Sequence, residues 1–173
     1  FPKFNFEMRF WIILLALSNL GLLIGNLPAV NLTFDASAIA AGEWWRYLTW
    51  PWVHVSRYHL LIDGTAFLML YSGLEEKRSL VRFGYLLSST AGSLLLPLAV
   101  SSSVYQIGLC GLSGVAHGLC AISALEMFRH KNQKRTGTFL LVGLLAKTGW
   151  EMISGMPKIE TWPQRAAAFP SLR

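Results

Sequence analysis

Five apolar runs, residues 10–30, 58–74, 83–100, 107–127 and 138–154, make up most of the chain and leave short polar segments between them. A helix of about 20 apolar residues crosses the hydrocarbon layer of a bilayer. Runs of this length and number therefore predict an all-α membrane protein, a bundle of about five transmembrane helices. The first run is longer than the roughly 7–15 apolar residues of a signal peptide, so it is expected to be a span, ended near Pro28. Residues 1–155 form one expected transmembrane domain. Residues 156–173 contain Pro157, Pro163 and Pro170 among polar side chains and are expected not to span.

The charges between the runs orient the bundle. Lys3 and Arg9, the hinge at residues 75–82 and the basic loop at residues 129–135 all fall on one side when the chain starts inside. The Trp-rich segment 31–56, the uncharged turn 101–106 and the tail fall on the other, in keeping with the positive-inside rule and with interfacial tryptophan. Only 14% of residues are charged, well below the roughly 25% of soluble domains. The net charge of +6 is thus explained by orientation in a lipid bilayer, and nucleic acid is not an expected partner. Cys110 and Cys120, on one expected helix, are too far apart to pair. No CxxC or HExxH spacing suggests a metal, and no cofactor is expected.

Ionisable residues inside spans are costly and mark candidate sites. His59 and Asp63 lie one helical turn apart near the outer end of the second run. Ser113 lies in GLCGLSGVAHG, residues 108–118, at the head of the fourth. With about 1.5 Å of rise per residue, Ser113 falls on the order of 8 Å below the outer edge, in the same leaflet as His59 and Asp63. Acyl transfer needs an activated hydroxyl, a base and donors at the developing oxyanion. Ser113 as nucleophile and His59 as oxyanion donor would supply two of these. Each residue taken singly also has a plainer role: Ser113 in helix packing, His59 as a cap or interfacial residue, and His117 as a packed residue one turn on. Lys147 and Glu151, four apart in the fifth run, read either as a mutually neutralising pair or as part of a substrate recess. A small transporter with Asp63, Lys147 and Glu151 along its path is a third class, but the chain lacks paired repeats.

Taken in order, Gly42-Glu-Trp-Trp-Arg46, His59-Leu-Leu-Ile-Asp63 and Gly111-Leu-Ser-Gly114 resemble the rhomboid family of intramembrane serine proteases. Gly-Leu-Ser-Gly-Val-Ala-His-Gly, with Lys147 before Trp150-Glu151 and Gly155, is similar more narrowly to the rhombosortase branch. The resemblance spans roughly residues 41–155. It implies that Ser113 is the nucleophile, that His59 stabilises the oxyanion, and that Gly111 and Gly114 allow close packing and access. It further implies a recess open to the outer, periplasmic face of a bacterial inner membrane. The implied substrates are transmembrane or C-terminally anchored exported proteins, with Gly-Gly-type sorting tails for the narrower branch.

Two departures bear on activity. The family's second-span motif carries Asn where this chain has Asp63, and an ionised carboxylate cannot donate to an oxyanion. Asp63 would serve only if protonated, or by orienting His59. The family's catalytic histidine lies on a last span, whereas residues 161–173 contain neither histidine nor an apolar run. The change of character near residues 155–160 is what a truncation or frameshift would be expected to leave. His117, one turn beyond Ser113, is the local substitute for the base. His54 is assigned to the outer loop and His130 to the inner side. The alternative function is a catalytically inactive rhomboid-like protein that binds transmembrane segments.

Overall fold

The computed structural model describes residues 6–100, 105 and 108–154, with the backbone alone for 151–154. Eight α-helices are described: α1 Phe6–Ser18, α2 Leu20–Gly25, α3 Ala36–Ala40, α4 Arg46–Thr49, α5 Arg57–Gly73, α6 Ser79–Val100, α7 Ser113–Met127 and α8 Lys134–Ser154. Short 3-10 turns cover Val30–Leu32 and Trp50–Trp52. The turn 101–106 (except Tyr105) and the tail from residue 155 lie outside the described residues, as does the side chain of Glu151.

Helix α7 is the hub. It packs against α5, α6 and α8, while α1 reaches the bundle through α5. The apolar core follows from this arrangement: Trp11 and Leu15 of α1 meet Phe67 and Tyr71 of α5, Leu86 of α6, and Leu112, Val115 and Leu119 at and along α7. Glycine lets α6 and α7 approach. A Cβ at Gly118 would stand 2.6 Å from Ser89 Cβ, and one at Gly114 would stand 2.6 Å from Ser93 Cβ. Both are closer than carbon atoms can pack, so only glycine fits, in the small-residue manner of membrane helix pairs.

The outward faces are apolar. Leu80, Ile24, Trp150, Met69, Leu61 and Phe139 are all largely exposed, as side chains that face lipid are. Among the described residues, one helix, Ser79–Val100, has the length and apolarity of a membrane span. Helices α5 and α7 are shorter, at 17 and 15 residues.

Two local differences from the expected runs have clear causes. The first run is broken into α1 and α2 at Asn19 (φ −114°, ψ 19°). There Ser18 Oγ and Asn19 Nδ2 both donate to the Trp52 carbonyl, at 2.9 and 2.7 Å. Asn26 then ends α2 in the left-handed region at φ 56°. The Asn26 and Leu27 N–H groups donate back to Leu22 and Gly21, and the Asn26–Leu22 bond makes an αL stop just before Pro28. The fourth run becomes helical only at Ser113. Gly108 and Gly111 have φ of 80° and 92°, outside helical space, and residues 108–112 pair instead with the loop. Phe34 and Leu109 exchange both backbone hydrogen bonds, at 2.9 and 3.2 Å, and Gly111 N–H donates to Trp50 O at 3.1 Å.

The loop 31–56 is tied by Arg46. Its guanidinium reaches Glu43 Oε2 at 2.6–2.7 Å and the carbonyls of Val30 and Thr33 at 2.8 and 2.9 Å. The Glu-Trp-Trp-Arg element thus holds the loop that covers one end of the bundle. At the other end Arg82 reaches Glu7 at 3.1 Å and the Tyr71 carbonyl at 2.8 Å. Buried Glu126 accepts the Glu75 and Glu76 N–H groups at 2.9 and 3.3 Å, and His130 Nε2 lies 2.6 Å from Glu75. The start of α1, the hinge and the end of α7 therefore meet at one end of the bundle, and the N-termini of α5 and α7 meet at the other.

Candidate active site

At the latter end, Ser56 caps α5 by accepting the His59 N–H at 3.2 Å. Capping sets where α5 begins, so it also sets the helical turn carrying His59 and Asp63. Ser113 is the first residue of α7, after Leu112, and is exposed. The first backbone N–H groups of a helix have no intrahelical acceptor and carry its positive dipole end, so Ser113 lies beside donors suited to an oxyanion.

The structure brings Asp63 to the same place. Its carboxyl lies against the Ser113 backbone N–H and within the electrostatic reach of the His59 and His117 rings. Gly111 completes the floor. A Cβ there would approach Asp63 Oδ2 to 3.1 Å and His54 Cδ2 to 3.4 Å, and the φ of 92° strains any side chain. Gly114 serves the packing on α6 described above. Ser113, His59, Asp63, Gly111, Gly114 and His117 are therefore neighbours, although they come from segments some 50 residues apart.

His117 has both ring nitrogens engaged. Nδ1 is 2.6 Å from the Ser113 backbone carbonyl and Nε2 is 3.0 Å from Lys147 Nζ. A carbonyl only accepts, so Nδ1 carries the proton, and Nε2 accepts from the lysine. Among the described residues no side chain hydrogen-bonds the Ser113 hydroxyl.

His54 is the residue that sequence analysis placed in the outer loop and the fold buries in the site. It is 2% exposed, and Nε2 lies 3.8 Å from Asp63 Oδ2. Among the described residues neither ring nitrogen has a hydrogen-bond partner. Burial, with a smaller contribution from His59, pushes its pKa down to about 4. The ring is therefore neutral at pH 7, and its approach to Asp63 is not an ion pair. Its position is set by Asn19, which accepts the His54 N–H at 2.8 Å and donates to Trp52 O at 2.7 Å. Asn19 carries a signal legible in the sequence, a polar side chain amid an apolar run. His54 carries none, because the loop returns it to the bundle only through tertiary contacts. No group of three or more His, Cys, Asp or Glu that could hold a metal occurs among the described residues.

A helical bundle with an apolar exterior has the character of a membrane protein, and the serine at a helix N-terminus beside buried polar groups is its candidate site. The model of the Rhomboid domain matches residues 41–162, well over half of the chain, and the chain belongs to the rhomboid family. Members of that family are integral membrane proteins, generally serine proteases acting on membrane-protein substrates within the bilayer. Neither the curated proteins nor the solved structures contained a match.

Proposed function

We propose that this chain is an intramembrane serine endopeptidase in which Ser113 is the nucleophile and His59, with the first N–H groups of α7, stabilises the oxyanion. The observation that carries this reading is the placement of an exposed Ser113 at the start of α7 beside Asp63, which shares a helical turn with His59. Attack by the hydroxyl on a peptide carbonyl creates negative charge where helix N-terminal donors point, and such preorganised donors lower the barrier. The motif around Ser113 and the Lys147-to-Gly155 pattern support the narrower rhombosortase assignment. On that assignment the substrates are exported proteins held by C-terminal Gly-Gly-type tails, cut near the outer face of a bacterial inner membrane. The five runs then cross the membrane with residues 1–155 as the catalytic domain.

One observation favours a second reading, a non-catalytic scaffold that binds transmembrane segments. His117 has both nitrogens committed, to the Ser113 carbonyl and to Lys147, which leaves neither for the Ser113 hydroxyl. Labelling of membranes with a serine-reactive fluorophosphonate separates the two. The protease reading expects labelling that disappears in Ser113→Ala. Absence of labelling in folded protein would support the scaffold instead.

A further inference from the structure

We propose that His54 is a positioning residue for this site: its Nε2–H, aimed at the Asp63 carboxyl, holds Asp63 against the backbone of Ser113. The proposal deepens the protease reading and, for its effect on reactivity, rests on it. Three independent observations bear on this ring. Asn19, between α1 and α2, fixes the backbone leading into it through His54 N–H at 2.8 Å and Trp52 O at 2.7 Å. Gly111 leaves room for it, since a Cβ there would meet the ring at 3.4 Å and the Asp63 oxygen at 3.1 Å. The ring is buried with both nitrogens unpartnered among the described residues, a cost that an apolar residue of similar volume would avoid.

The 3.8 Å separation of Nε2 from Asp63 Oδ2 is about 0.8 Å longer than an N–H···O hydrogen bond. Hydrogen bonds in catalytic sites are often long in the free protein and tighten when substrate binds. Asp63 also feels His59, His117 and the Ser113 N–H, and its charge acts on Cys110. Of these groups, His59 shares its helix and His117 is held by Lys147. His54 is the one that approaches from the covering loop. It therefore couples the loop 31–56 to the site.

The test uses the full chain in detergent, with its four histidines labelled with 15N and the His54 signal identified by its loss in His54→Gln. The proposal expects Asp63→Asn to shift the His54 ring signals, besides any shifts at His59 and His117, which Asp63 also faces. Unchanged His54 signals would overturn it, whatever the activity. Fluorophosphonate labelling supplies the second arm. His54→Leu should slow labelling of Ser113 by about tenfold, the size of coupling within one polar network, while His54→Gln, which keeps an N–H near the Nε2 position, should stay within about threefold. Equal losses in both variants would mark His54 as a packing residue and overturn the proposal. Wild-type protein that never labels would remove the protease reading, and the nuclear magnetic resonance arm alone would then judge the His54–Asp63 pair.

Discussion

Lys147 Nζ on α8 stands 3.0 Å from His117 Nε2 on α7, and the same imidazole closes onto its own helix through Nδ1, 2.6 Å from the Ser113 carbonyl. One ring thereby links the last described helix to the turn that begins with Ser113. Lys147→Met and His117→Phe should each destabilise the bundle by about 1 kcal/mol, lowering the unfolding midpoint in detergent by about 2–4 °C. The double variant should lose less than the sum, because both changes break one contact. Additive losses in thermal melts would show that the two residues act separately.

The α6–α7 contact has no room for a methyl group. Gly118→Ala places a Cβ 2.6 Å from Ser89 Cβ and 2.9 Å from Ser89 Cα, so the helices must part. The expected cost is about 1–3 kcal/mol. Ser89→Gly should recover part of it in the double variant. Urea or SDS titration of the four proteins in the cycle measures this, and an unaffected Gly118→Ala would refute the close approach.

Stability should weaken in mild acid through His54. Its folded pKa of about 4 lies below the ordinary 6.5, so between these values the unfolded chain takes up a proton that the folded chain refuses. Stability is therefore full above pH 6.5 and falls as pH drops towards 4, by at most about 3 kcal/mol. The lowered pKa values of Asp35 and Glu76, caused chiefly by side-chain hydrogen bonds from Ser37 and Arg78, confine their own effects to lower pH. Unfolding midpoints at pH 7.5 and 5 should differ in the wild type and converge in His54→Gln.

Glu126 holds the opposite end. The residue is 4% exposed, and its carboxylate accepts two backbone N–H groups, of Glu75 and Glu76. Glu126→Ala should cost about 2–3 kcal/mol by leaving buried donors without an acceptor. Glu126→Gln, which keeps one acceptor oxygen, should cost roughly half as much. Hydrogen exchange at Glu75 and Glu76 should accelerate in both, and more in the alanine variant.

Much of the helical bundle was legible because apolar periodicity and length act locally. Ser113, Gly111, His59 and Asp63 stood out because hydroxyl, glycine and charge are conspicuous inside apolar runs. The delayed start of α7 was less visible. Gly108 and Gly111 are small residues in an apolar stretch, and only their pairing with Phe34 and Trp50 shows that they leave the helix. The partners of His117 were likewise hidden, since spacing shows that it faces Ser113 but not that Lys147 arrives from another helix.

The sequence by itself determined that this chain is a helical membrane protein, because burial of apolar runs in lipid depends on composition along the chain, and its ordered motifs carried the resemblance to the rhomboid family. It also determined which side chains are chemically able to act. Only the tertiary structure decided which of them meet. His54 lies in a loop that could face water, yet Asn19, between α1 and α2, pins its backbone, and the missing Cβ of Gly111 admits its ring beside Asp63. Those contacts join residues 35 to 57 positions apart. Their cost in chain entropy is met by packing of the whole bundle rather than by any local preference.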